Sequence, residues 1–393
     1  MNTGELMSDF YKTEAASSEV ITEPIAVDIA VPRSDVFRKL LTQPFWWEKV
    51  NFGKIALFSF SLYLFFFAIT LMKYGARGLV PLFQNSFNLS NGLSSLGFGW
   101  IFAYVIMSGS PVAAAALTFF DAGVFDKFGA FAMITGSRFG ASFIVLLIGF
   151  IYVLRGRDRS SSLSMGILTL LVTISTYIPA LIMGGIILQT GVLDHIQIQT
   201  SGVLQSSVDI LIEPFVDLIN SVFAQWFVFV IGLAVMISCF SLFDRCLPQM
   251  TIKESHFGHI SRLIYRPVVM FALGAGLTLI TMSVSLSLSV LVPLSARGYI
   301  RRENVIPYIM GANITTFVDT LLASVLLNNP PAFTIVLVEM LSVAAVSILI
   351  LSLVFARYRH TIQHCVAWVT DSNRNLVIFL AGIFIAPLIL LVL

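Results

Sequence analysis

The chain has 393 residues, 57% of them apolar and only 11% charged. Water-facing domains carry about 25% charged residues, so a soluble globular fold is excluded and most of this surface must face lipid. A net charge of +2, from 23 basic and 21 acidic residues, gives no case for nucleic-acid binding. The apolar runs are about 20 residues long and lack strand alternation, which points to helices crossing a bilayer rather than to a barrel. Three scattered cysteines, Cys239, Cys246 and Cys365, make no disulfide framework.

Residues 1–53 are a polar segment without the apolar core of a signal peptide. It closes on DVFRKLLTQPFWWEKVN (35–51), the basic and aromatic composition of a helix lying at a membrane surface. A first span is predicted over 54–74, then a short amphipathic stretch to Asn91. Segments 93–107 and 112–120 flank Ser108-Gly109-Ser110-Pro111. Fifteen helical residues reach only ~22 Å, short of a bilayer core, so the pair reads as a re-entrant hairpin. Segment 128–154 is long enough to span, but Gly136-Ser137-Arg138-Phe139-Gly140 places two glycines and a charge at mid-depth. That composition predicts a broken helix whose unwound centre lines a cavity. Further spans are predicted at 163–189 and 225–243, with an extracellular loop at 191–224. Segments 268–282 and 287–295 make a second hairpin around Ser283 and Ser285. Residues 305–327 read as a second helix, broken at 311–316, and the last spans are 331–355 and 376–393.

With the N-terminus placed in the cytoplasm, 19 of the 23 Lys and Arg residues fall on inner segments. Lys73, Arg77 and Lys127 fall outside and Arg138 within the bilayer. The positive-inside rule expects that bias, giving a multi-pass protein of the cell membrane.

The chain also aligns with itself at an offset of 175 residues. Gly99 falls on Gly274, Met107 on Met282, Ser108 on Ser283, Ser110 on Ser285, Ile134 on Ile309 and Gly136 on Gly311. Three crossings lie between the hairpins, so the two halves, 54–190 and 225–393, are inverted. The expected fold is an all-α integral membrane protein of inverted-repeat secondary-transporter design, with two re-entrant hairpins and two broken transmembrane helices. In such a design helix N-termini meet at the midplane and suit an anion, while freed carbonyls and hydroxyls suit Na⁺. The candidate anion ligands are Ser108, Gly109 and Ser110 of the first tip and Ser283, Val284 and Ser285 of the second.

MSVSLSLSVLVPLSARGYIRRENVIPYIMGANITTFVDTLLAS (282–324) resembles the second repeat of the type II sodium–phosphate cotransporters. That family has Gln-Ser-Ser-Ser, a downstream Pro-Leu, a Gly and then Gly-(Ser/Ala)-Asn-Ile-Gly-Thr. The matching residues are Met282-Ser283-Val284-Ser285, Pro293-Leu294, Gly298 and Gly311-Ala312-Asn313-Ile314-Thr315-Thr316. The first repeat, Met107-Ser108-Gly109-Ser110 and Gly136–Ala141, is a weaker likeness. The resemblance implies Na⁺-driven import of inorganic phosphate, with the serine tips on phosphate and Asn313, Thr315 and Thr316 helping hold Na⁺. It departs from the family at Met107 and Met282 in place of glutamine, at Arg138 in place of asparagine, and at Asp319.

An ionisable group at bilayer depth costs at least ~2.5–3.5 kcal/mol, so Arg138 and Asp319 need partners or functions. Arg138 suits bidentate binding of an oxyanion, or a role as a tethered cation in a vacated Na⁺ site. Asp319 suits Na⁺ ligation or carriage of a proton, and the two also suit simple mutual neutralisation. Gln205-Ser206-Ser207 lacks a repeat partner, Asn88-Leu89-Ser90 matters only in a glycosylating host, and His256/His259 and His360/His364 lack the ligands that would complete a metal site. No nucleophile–base pair suggests an enzyme. The expectation is phosphate transport with Na⁺ as coupling ion and no other cofactor or metal. H⁺-coupled or uncoupled movement of another oxyanion is one alternative, and a transport-dead membrane scaffold another.

Overall fold

Long apolar segments in lipid satisfy their amides by coiling into helices, and every regular element among the described residues is helical. The structure, a computed structural model, describes residues 52–86, 91–156, 159–196, 198, 206, 210–246, 266–289, 291 and 302–393. The expected surface helix at 35–51, Asn88–Ser90, His256 and His259, Pro293-Leu294 and Gly298 lie outside them. In chain order the helices are α1 (Phe52–Arg77), α2 (Val80–Ser86), α3 (Gly92–Ile106), α4 (Ser110–Asp121), α5 (Lys127–Leu154) and α6 (Arg159–Thr190). They continue with α7 (Glu213–Val222), α8 (Gln225–Cys246), α9 (Pro267–Thr281), α10 (Val284–Ser289), α11 (Arg302–Thr315) and α12 (Phe317–Leu326). Last come α13 (Pro330–Leu349), a π-helical turn (Ile350–Val354), α14 (Phe355–Asp371) and α15 (Asn373–Val392). Seven of these helical stretches are long and apolar enough to cross a membrane, while α3 and α9 are apolar but short. The protein is an all-α membrane protein.

Two pairs of short helices are built alike. Helix α3 runs to Met107 (φ 56°) and α9 to Met282 (φ 49°), and in each a serine follows before the next helix begins. A left-handed non-glycine residue costs about 1–2 kcal/mol, and it recurs at matched positions 175 residues apart. The helix packed on each pair is matched too. A methyl on Gly136 would collide with the Leu96 carbonyl and the Trp100 amide, and one on Gly311 with the Phe271 carbonyl and the Ala275 amide. These contacts too are offset by 175.

This crossing corrects the sequence reading. Helix α5 is continuous through Gly136–Gly140 and is not a broken helix. Glycine is permissive of a break, but between membrane helices it also lets backbones touch, and here it places α3 directly on α5. The second expected break shrinks to one turn residue, Thr316 (φ −61°, ψ −19°), between α11 and α12. Two boundaries also move. The segment 191–224 contains α7, whose Val216 is buried against Leu71 and Val228. The helix expected to end at 355 runs on through the π turn to Asp371.

Around this centre, α15 lies on α3: the Tyr104 hydroxyl donates to the Ile383 carbonyl (3.0 Å), and Gly97 abuts the Pro387 carbonyl. Lys73 on α1 donates to the Leu327 carbonyl (3.0 Å) and pairs with Asp121 (3.5 Å), which also accepts from Asn329 (2.8 Å). These contacts tie α1, α4 and the end of α12 together. The arms also exchange partners, α10 packing on α5 and α4 on α12.

Candidate functional site

The tight turn after α3 is held against α5 at Gly109. A methyl there would stand 2.9 Å from the Ala141 side chain, 3.1 Å from the Ser137 carbonyl and 3.5 Å from Arg138 Nη1. Glycine is what lets this backbone lie beside the guanidinium. Helix α4 then starts at Ser110 with no side-chain cap and Pro111 in its first turn, so its leading amides lack intrahelical acceptors. The turn after α9 is fixed differently. Thr278 donates to Ser287 Oγ (2.8 Å), Ser287 is hydrogen-bonded to the Tyr308 hydroxyl (2.8 Å), and Thr281 donates to the Ser283 carbonyl (3.2 Å).

The two turns meet at one small polar cavity of about 20 Å³, room for one or two waters. Ser108, Gly109 and Ser110 line it from the first turn and Ser283 and Val284 from the second. Arg138, Ala141 and Ser142 line it from α5, Tyr177 from α6, Asn313 from α11, and Thr316 at the interruption. Ser285 belongs to α10, and its side chain lies outside the described residues.

Arg138 is 4% exposed. Its Nη1 donates to Thr316 Oγ1 (3.3 Å) and its Nη2 to Thr320 Oγ1 (2.7 Å), and the guanidinium lies over the Phe317 ring, 4.8 Å from its centre. Nη2 is 3.9 Å from Asp319 Oδ1, an ion pair looser than a hydrogen bond, while Arg138 Nε and Asp319 Oδ2 have no hydrogen-bond partner. Thr320 bridges the pair by donating to Asp319 Oδ1 (2.8 Å), and the Ser110 hydroxyl approaches the same carboxylate. The pair therefore neutralises itself and still leaves the Arg138 Nε–H without an acceptor.

Of the four residues expected around Na⁺, Asn313 and Thr316 line the cavity and Thr315 does not. The Asn313 side-chain amide donates to Thr173 Oγ1 (3.2 Å), and its backbone carbonyl accepts from the Tyr177 hydroxyl (2.9 Å). Thr315 turns away and donates to the Ala275 carbonyl (2.9 Å). Thr316 and Asp319 both face the guanidinium. Among the described residues, no group of three or more His, Cys, Asp or Glu side chains is gathered as for a metal, and His360 and His364 lie on α14.

Sequence reasoning overlooked Thr320, Tyr177 and Glu339. Glu339 is 1% exposed on α13, and its Oε1 accepts from Thr135 (2.7 Å). Its signal was plain: a single acid inside TIVLVEMLSVAAV. Compared with family models, curated proteins and solved structures, the chain matches none.

Proposed function

We propose that this protein is a secondary active transporter, not an enzyme, which imports inorganic phosphate or a similar small oxyanion across the cell membrane by alternating access. In this reading the two helix–turn–helix pairs are re-entrant hairpins of an inverted repeat, entering from opposite faces, with the N-terminus cytoplasmic. The observation that carries it is the convergence of two equivalent turns, with their serines, on one buried cavity beside Arg138. A guanidinium, hydroxyls and the first amides of α4 make a donor set for an anion. The water-sized cavity fits a contracted state, since a four-oxygen anion enters only if the turns part or Arg138 swings aside.

Na⁺ is the coupling ion in this reading, as the resemblance to the type II sodium–phosphate cotransporters implies. A second reading, uncoupled or H⁺-coupled transport, is favoured by one observation. Arg138, a fixed cation, already holds Thr316 and faces Asp319, two of the expected Na⁺ ligands. Uptake of radiolabelled phosphate into proteoliposomes, with and without an inward Na⁺ gradient, tests the proposal. Accumulation driven by the gradient supports it. Uptake that ignores Na⁺ but follows a pH gradient selects the second reading, and no uptake of phosphate, arsenate or sulfate refutes both.

A further inference from the structure

A second polar cluster lies one turn along α5, where α5, α6 and α13 meet. Thr135 on α5 donates to Glu339 Oε1, and its hydroxyl also lies 3.1 Å from the Phe131 carbonyl. Glu339 Oε2 has no hydrogen-bond partner. Ser342, three residues along α13 and therefore on the same face, is completely buried, and its hydroxyl has no partner either. Ser347 on the same helix is likewise unpartnered, whereas Ser61, Ser142, Thr169 and Thr176 return their hydroxyls to a carbonyl of their own helix. Gly184 brings the α6 backbone against the cluster, for a methyl there would meet the Phe131 ring and stand 3.0 Å from Ser342 Oγ.

The two buried oxygens without partners point to an occupant at this junction. Among the described residues no Lys, Arg or His forms an ion pair with Glu339. Arg138, one turn along α5 from Thr135, is near enough to act on Glu339 through space, but its hydrogen bonds and ion pair go to Thr316, Thr320 and Asp319. Tyr177 on α6 is the other titratable group nearby, and its hydroxyl is given to the Asn313 carbonyl. A buried carboxylate needs a counter-charge or a proton. One carboxylate with two hydroxyls supplies a single negative charge and hard oxygen donors, which matches one small monovalent cation. Mg²⁺ and Ca²⁺ call for more carboxylates or retained waters.

We infer that Glu339, Ser342 and Thr135 form a Na⁺ site, in which Na⁺ takes the free lone pairs of Glu339 Oε2 and Ser342 Oγ. Its assignment as the coupling site rests on the transport reading; the binding of Na⁺ does not. The site lies one helical turn along α5 from the anion cavity, Thr135 and Arg138 being on one face of that helix, so an ion here acts on the helix that carries the guanidinium.

The test is equilibrium binding of ²²Na⁺ to the purified full-length protein in detergent, without phosphate and at constant ionic strength in choline chloride. The expected result is a saturable component that Glu339→Gln abolishes and Ser342→Ala weakens at least tenfold. Ser342→Ala removes one hydroxyl from a small buried residue and keeps the test open if Glu339→Gln does not fold. Unchanged Na⁺ binding in either folded variant overturns the site. So does wild-type protein that binds no Na⁺, or that takes up a proton at Glu339 in its place. Phosphate binding measured separately, both with and without Na⁺, keeps the two proposals apart: its absence in both buffers, with Na⁺ binding intact, sinks the transport reading and leaves this site standing.

Discussion

Replacing Arg138 by methionine removes the positive half of a pair whose two side chains are 4% and 1% exposed. At 3.9 Å and an effective dielectric constant of ~20, two unit charges attract by about 4 kcal/mol. The substitution also ends the hydrogen bonds to Thr316 and Thr320 and strands Asp319 without a counter-charge. Breaking a buried pair from one side costs about 3–5 kcal/mol, so Arg138→Met and Asp319→Asn should each destabilise by that amount. Arg138→Met/Asp319→Asn, which removes both charges together, should recover about 3 kcal/mol relative to the sum of the single losses. The assay is chemical unfolding of all four proteins in mixed micelles, followed by tryptophan fluorescence, with phosphate binding measured on the same samples. The double variant should be folded and yet bind no phosphate, because the proposed function makes the guanidinium the anion's principal ligand. Single losses that simply add would refute the coupling. A folded double variant with wild-type phosphate affinity would remove Arg138 from the anion site.

Three further outcomes follow from the same contacts. Ser110→Ala should weaken phosphate binding about ten- to a hundredfold with the unfolding midpoint nearly unchanged, since one hydroxyl donor to a charged ligand is worth about 1.5–3 kcal/mol; isothermal titration of the variant checks this. Gly136→Ala and Gly311→Ala drive a methyl into a backbone carbonyl, so each should destabilise by about 1–3 kcal/mol or more, read as lowered thermal midpoints. Met107→Gly should stabilise by about 1 kcal/mol by relieving the left-handed strain at a half-exposed side chain, whereas Met107→Ala, still with a Cβ, should not.

The spanning helices were legible because lipid leaves the backbone few alternatives, so runs of about 20 apolar residues give them away. The two turns were legible from Ser108–Pro111 and its counterpart at 283–285. Gly136 and Gly140 misled because composition alone does not separate a glycine that unwinds a helix from one that seats a neighbour; only the position of Leu96 and Trp100 decides it. The polar run after Phe355 looked like the end of a span, yet an α-helix with a π turn continues as readily outside lipid as within it. Helix α7 was hidden in a loop of mixed composition, although Ile212, Val216 and Ile219 have helical spacing and pack against α1 and α8. Glu339 was passed over because one acid does not lower the apolar character of a span. Its importance comes from the Thr135 and Ser342 hydroxyls around it, and those sit on two different helices.

The convergence of both serine turns on one anion pocket is tested most directly by ligand protection of single thiols. Ser108→Cys and Ser283→Cys, each introduced after replacement of Cys239, Cys246 and Cys365, are alkylated with and without phosphate. Protection of both thiols over the same range of phosphate concentration is the predicted result; protection of only one, or of neither, would contradict a shared site.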